Sequence, residues 1–228
     1  MPCVGTWWEY KTASFCGIAM LTVLVFGAWA VYYEPIEQLD RMILEWFAAS
    51  RTVGLDQFFS YITWVGSSFI LLPVILAQAF MFTRQKKNRE ARFLVGACVG
   101  GSMLNSAAKF VIMRPRPAIF PALIDLPAGF SFPSAHAAQI TAFVLAELLL
   151  LRASTRGRWF VLFNIAGGIL ILLVCCSRLY LQVHYPTDVA TGVLTGLLWA
   201  VGLAAVTLPG YDKPALSRGC RFEKGKQQ

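Results

Sequence analysis

Seven residues between Lys109 and Asp188 have the types and spacing of a reaction centre: Lys109, Arg116, Ser134, His136, Arg178, His184 and Asp188. The chain has only two histidines, and both sit where an apolar stretch meets a short polar turn. The segment SRLYLQVHYPTD, Ser177 to Asp188, alone holds an arginine, a histidine and an aspartate. A neutral imidazole at His184 can attack phosphorus, and Asp188 can hold its other ring nitrogen and steady the cation that forms. His136 can protonate the leaving oxygen and later activate water. Lys109, Arg116 and Arg178, with the hydroxyl of Ser134, can surround a phosphate and stabilise charge on its equatorial oxygens. Together they suit phosphoryl transfer. With three cations in the set, no metal and no cofactor is called for.

These groups are far apart in sequence, so something must gather them. The chain is 57% hydrophobic and only 14% charged, with a mean hydropathy of +0.60, against about 25% charged in soluble proteins. That composition belongs to a membrane protein. A spanning helix needs about 20 mainly apolar residues. Six windows qualify: Phe15–Tyr33, Gly66–Phe82, Phe93–Met113, Ser134–Leu151, Trp159–Cys176 and Val189–Leu208. The expected fold is therefore all-α: a six-helix transmembrane bundle forming one domain over residues 1–228. A cleaved signal peptide is a weaker account of the first window, because a single lysine precedes it and the apolar run continues to Tyr33. Between the first two windows, Ile36, Leu39, Ile43, Trp46 and Phe47 recur at steps of three and four. This predicts an amphipathic helix, lying in the membrane interface or packed against the bundle.

The net charge of +8 does not imply nucleic acid, because the basic residues collect in alternate connections as the positive-inside rule expects. Lys11, the cluster 84–92, Arg152, Arg156, Arg158 and the basic tail 212–228 fall on one side. Arg41, Arg51, Lys109, Arg114, Arg116 and Arg178 fall on the other. The richer side is predicted to be cytoplasmic. Cys16, Cys98, Cys175 and Cys176 lie in predicted spans and lack zinc or disulfide spacing, so they read as small hydrophobes.

Topology then gathers the reactive residues. Even-numbered spans run outside to inside and odd ones the reverse, so the end of span three, the start of four, the end of five and the start of six share one face. Span three ends at Arg114-Pro115-Arg116-Pro117, since proline cannot continue a helix. Lys109, in its last two turns, is a costly intramembrane lysine and for that reason a site candidate. Span four begins at Pro133-Ser134-Ala135-His136, where serine is a favoured N-cap and the helix start is a ready anion site. Pro186 opens span six with Asp188 just inside it.

Three segments carry a resemblance to a known family. Lys109 to Pro117 fits Lys, six residues, Arg-Pro. Residues 133–136 fit Pro-Ser-Gly-His, with Ala135 in place of glycine. Residues 177–188 fit Ser-Arg, five residues, His, three residues, Asp. In this order the chain resembles the type-2 phosphatidic acid phosphatase superfamily, which includes bacterial membrane lipid phosphatases and the soluble vanadium haloperoxidases. The resemblance implies phosphate binding by Lys109, Arg116, Ser134 and Arg178, a leaving-group acid at His136, a nucleophile at His184 and its partner at Asp188. Ala135 departs from the pattern and bears on substrate fit, since its methyl limits close backbone approach. Arg114 lies outside the pattern, as a further phosphate or headgroup contact.

The implied activity is metal-independent hydrolysis of a phosphate monoester or diphosphate on a lipid such as phosphatidylglycerol phosphate, undecaprenyl diphosphate or lipid A. The site would open to the extracytoplasmic face of a bacterial inner membrane. The expected partners are the phosphorylated lipid and the membrane; the oligomeric state is not readable. Two alternatives use the same residues: a transferase passing the phosphoryl group to another lipid, and a non-catalytic carrier of lipid phosphates or anions. A vanadate-dependent peroxidase is disfavoured by the spans.

Overall fold

The fold is given by a computed structural model that describes residues 5–126, 128–152, 154–155 and 157–208, with side chains from Tyr10 onward. The basic tail 212–228 lies outside the described residues. Among the described residues all regular structure is helical. The order is α1 (Gly5–Val31), α2 (Glu34–Ala49), α3 (Val53–Val65), α4 (Ser68–Arg84), α5 (Asn88–Val95), α6 (Gly101–Ile112), α7 (Ala135–Leu151), α8 (Arg158–Tyr180) and α9 (Pro186–Thr207), with a π-helical turn, Gly96–Gly100, joining α5 to α6.

Five helical runs are long and apolar enough to cross a membrane: Tyr10–Val31, Val53–Arg84, Asn88–Ile112, Arg158–Tyr180 and Pro186–Thr207. The chain is an integral membrane protein of the all-helical kind expected. The remaining expected span corresponds to α7, an apolar helix that is shorter than these runs at 17 residues. Two expected boundaries also move. The second span starts well before Gly66, because α3 is helical and α4 follows after a break at Gly66 and Ser67. Thr52 caps α3, its hydroxyl accepting from Leu55 N at 3.3 Å. The fifth span continues a turn past Cys176 to Tyr180, so Arg178 rides on a helix rather than a loop.

Helix α9 is the element against which the site is built, packing most extensively on α1 and α7. Its Gly192 and Gly196 make the α7 contact possible. A Cβ at Gly192 would stand 2.6 Å from the carbonyl oxygen of Ser134, and one at Gly196 would strike the backbone of Ala138. Small residues four apart let two membrane helices approach backbone to backbone. The π turn serves the other flank, where the carbonyl of Gly96 accepts the indole N–H of Trp199 at 3.0 Å, fixing α6 against α9. The largest apolar cluster is built around Phe93, Leu94, Ile140, Val144 and Val174, and smaller ones around Ala137 and Val189 and around Tyr180 and Val183 flank the site.

The predicted amphipathic helix exists as α2, and it both packs and exposes apolar surface. Asp40 and Leu44 are buried against the bundle, whereas Leu39, Met42 and Trp46 remain more than half exposed. The carbonyl of Leu44 accepts from the buried Gln182 at 2.9 Å, tying α2 to the turn that carries His184.

Candidate active site

The four helix ends meet as topology requires, and direct contacts join them. The amide of Ser134, the N-cap of α7, donates to the carbonyl of Asp188 in the first turn of α9 at 3.0 Å. This bond is the structural consequence of the glycines on α9. The Ser134 hydroxyl accepts from Ala137 N at 3.5 Å, and the side chain is fully buried. The first-turn amides at Ala135 and His136 have no intrahelical acceptor, as at any helix start, and so offer themselves to an anion.

His184 is the centre of the arrangement. It is 2% exposed, in the turn between α8 and α9. Its Nδ1 lies 3.4 Å from Asp188 Oδ2, and Arg116 Nη1 lies 3.3 Å from its Nε2. A guanidinium can only donate. Nε2 must therefore accept, which puts the ring proton on Nδ1, donating to the carboxylate. That tautomer leaves the free lone pair of the ring on Nε2. Burial pushes the imidazole well down, to about 3; Asp188 opposes the shift, and the charges of Arg178 and Arg116 add to it. His184 is thus neutral at ordinary pH.

Arg116 touches this nitrogen, and two further cations line the site. Arg116 is fixed by donating to the carbonyls of Val183 at 2.9 Å and Gly129 at 3.2 Å. Lys109 reaches the carbonyls of Phe130 and Ser131 at 2.8 and 3.1 Å, which holds the α6–α7 loop over the site. Arg178 is 1% exposed, with Nη1 donating to Thr63 Oγ1 at 2.5 Å. Its Nε and Nη2 are buried with no hydrogen-bond partner. Leaving buried guanidinium N–H groups unpaired is costly unless a ligand supplies acceptors, and two adjacent N–H groups of an arginine match two oxygens of a phosphate. His136 lies within the electrostatic reach of Arg178, His184, Arg116 and Lys109.

Arg114 behaves differently from expectation. Instead of facing a phosphate, its Nη1 donates to Asp188 Oδ1 and Thr187 Oγ1, both at 2.7 Å, and its Nη2 donates to Asp40 Oδ2 at 2.9 Å. The guanidinium also lies 3.8 Å over the ring of Tyr185. Burial would lower its pKa, but Asp188 and Asp40 outweigh that and raise it. With both terminal nitrogens spent on carboxylates, Arg114 is a structural cation of the site.

Sequence reasoning missed three residues at the site. Asp40 carries a charge that reads as the solvent face of α2. Thr63 sits in an unremarked apolar run, and Thr187 is a turn residue. Their partners are long-range, so no local signal marks them.

Comparisons with known proteins bear on the family and the fold. Residues 90–209 match the model of the PAP2 superfamily. The chain is 30% identical over 193 residues to phosphatidylglycerophosphatase B of Bacillus subtilis, covering 83% of this chain and 91% of that one. It is 30% identical over 185 residues to an undecaprenyl-diphosphatase of Sulfolobus acidocaldarius, covering 77% and 84%. The fold superposes on the crystal structure of a transmembrane PAP2-type phosphatidylglycerolphosphate phosphatase from Bacillus subtilis with a TM-score of 0.73, at 27% identity, over 83% of this chain and 94% of that one.

Proposed function

Because the chain belongs to the PAP2 superfamily, we propose that it is a membrane lipid phosphatase working through a phosphohistidine on His184, at the extracytoplasmic face of a bacterial inner membrane. The observation that carries this reading is the geometry of His184: Nδ1 lies 3.4 Å from Asp188 Oδ2, and Nε2 lies 3.3 Å from the donor-only guanidinium of Arg116. The substrate is a phosphate monoester or diphosphate on a lipid, the chemistry named for the two relatives. The charge distribution of the connections supports the choice of face.

The arriving phosphate draws Arg116 from Nε2 onto its own oxygens and takes the two open N–H groups of Arg178. Lys109 and the amides at the start of α7 complete the cradle. His184 Nε2 then attacks phosphorus, forming the N–P bond as the P–O bond to the lipid breaks. With the negative charge of the phosphate offsetting the cations around it, His136 carries a proton and gives it to the departing oxygen. Asp188 stabilises the positive charge on the phosphorylated ring. In the second half, neutral His136 takes a proton from water, whose oxygen attacks phosphorus. The N–P bond breaks, inorganic phosphate leaves, and His184 is restored. The three cations supply the charge stabilisation that a metal gives in other phosphatases.

The test is phosphate release by purified protein in micelles with EDTA present. The panel contains phosphatidylglycerol phosphate, undecaprenyl diphosphate and lipid A. Wild type should release phosphate from at least one lipid, and His184→Ala and His136→Ala should not. Release that persists in His184→Ala would refute the mechanism, as would its loss in EDTA. Product analysis with an added acceptor lipid separates hydrolysis from transfer to that lipid.

A further inference from the structure

The two oxygens of Asp188 are used differently. Oδ2 receives the His184 ring at 3.4 Å and the amide of Tyr185 at 2.9 Å, while Oδ1 receives Arg114 at 2.7 Å. Arg114 is in turn shared with a second carboxylate, Asp40 of α2, at 2.9 Å. Asp40 also takes the amide of Thr187 at 3.0 Å and its hydroxyl at 2.6 Å. Asp40, Arg114 and Asp188 are at most 4% exposed. Asp40 lies on α2, before residues 90–209, the stretch that matches the family model.

We infer that Asp40 is a positioning residue for the reaction, acting through Arg114 to orient Asp188 and keep its charge available to His184. This rests on reading His184 as the nucleophile. The reasoning is electrostatic. Two carboxylates and one guanidinium leave the cluster with one net negative charge. Were Arg114 paired with Asp188 only, that pair would be neutral and would hold a positively charged imidazole ring poorly. By taking one arm of the guanidinium, Asp40 prevents that neutralisation. By binding the amide and hydroxyl of Thr187, it also fixes the first turn of α9, on which Asp188 stands.

Three measurements decide it. In steady-state turnover of whichever panel lipid wild type accepts, Asp40→Asn should lower kcat by roughly 10- to 100-fold, the range for a residue supporting a reactive group through one partner. KM should stay within about threefold, because Lys109, Arg116 and Arg178 are untouched. In an Arg114→Gln background, adding Asp40→Asn should cost less than about twofold, since the route of its action is already gone; equal losses in both backgrounds mark a merely structural role and overturn the proposal. Histidine-selective 15N NMR reads the contact without turnover. The chain has two histidines, so His136→Gln assigns the spectrum. Asp40→Asn should move the His184 ring signals and leave those of His136 in place. Unmoved His184 signals sink the proposal whether or not a lipid is hydrolysed. Failure of wild type on every lipid, with moved signals, removes the phosphatase reading and keeps the Asp40 coupling. Should Asp40→Asn not fold, Thr187→Val keeps all charges and removes the hydroxyl between Asp40 and Arg114. The same kcat loss, about three- to tenfold, is then expected with the same His184 shift, and its absence overturns the proposal.

Discussion

Replacing Asp188 by asparagine changes one atom and sets two demands in conflict. The carboxylate accepts at both oxygens, from Arg114 on one and from Tyr185 N and His184 on the other. An amide has one oxygen and one NH2. If the NH2 faces Arg114, it opposes a guanidinium that can only donate. If it faces the other way, it opposes the Tyr185 amide and can be satisfied only by His184 presenting an unprotonated Nδ1. The second arrangement moves the ring proton to Nε2 and, on the proposed mechanism, removes the nucleophile. For the analogous swap in a serine-protease triad the loss is about 10⁴-fold in kcat, or roughly 5.5 kcal/mol of barrier. The first arrangement keeps the tautomer but leaves the buried Arg114 with Asp40 as its only carboxylate, which costs roughly 3–5 kcal/mol of stability. Either way the variant is damaged, and the two are separable. Single-turnover phosphate release in micelles reports the tautomer, and unfolding in the same micelles reports stability. The expected result is a loss of at least 10³-fold in kcat with the substrate dissociation constant within about threefold. Asp188→Asn turning over within tenfold of wild type would show that the His184–Asp188 contact does not set the tautomer.

Other perturbations follow from the same geometry. Arg178→Lys keeps a charge but replaces a planar fork of separate nitrogens by a single ammonium on a shorter reach, so kcat/KM should fall roughly 10²-fold or more; orthovanadate inhibition should weaken in parallel, and an unchanged inhibition constant would contradict the proposed phosphate contact. Gly192→Ala drives a methyl against the Ser134 carbonyl, whereas a Cβ at Gly168 meets nothing within 4 Å. The first variant should lose roughly 1–3 kcal/mol of stability, with most of its activity, and Gly168→Ala should lose neither; equal behaviour would rule out the close α7–α9 approach. His184 also makes stability pH-dependent: its pKa is about 3 in the fold against about 6.5 unfolded. The unfolded chain therefore binds a proton that the folded chain does not, and stability, intact above pH 6.5, declines as pH falls towards 3 by up to about 1.4 kcal/mol per unit. Unfolding from pH 7 to 4 should show that slope reduced in His184→Gln, and parallel slopes would refute the buried neutral ring.

Much of this architecture was written in local patterns. Apolar windows and prolines marked the helices, and the alternation of spans carried Lys109, Ser134, His136, Arg178, His184 and Asp188 to one end. The site's supporting residues were not legible for a physical reason. Asp40 is separated from Arg114 by 74 positions, and Thr63 from Arg178 by 115. A charge on an amphipathic helix looks solvated until the helix that covers it is known. Arg114 shows the same effect: beside a phosphate-binding motif a cation reads as a ligand until its counter-ions, Asp40 and Asp188, appear. The early start of the second span was hidden because α3, with Asp56 and Gly54, is less uniformly apolar than α4. Even there, Asp56 has a buried purpose, accepting from the Tyr180 hydroxyl at 2.6 Å.

The brevity of α7 bears on how a lipid is handled. Seventeen residues rise about 25 Å, less than the roughly 30 Å of a bilayer's hydrocarbon. If its inner end is level with the headgroups, its capped start is recessed by several ångströms. A substrate can then present its phosphate without its tails being drawn out into water, and the hydrophobic cost of extraction, about 0.8 kcal/mol for each exposed methylene, is avoided. On that placement the depth of the helix start depends on bilayer thickness: a thin bilayer brings it level with the surface, and a thick one leaves it further recessed.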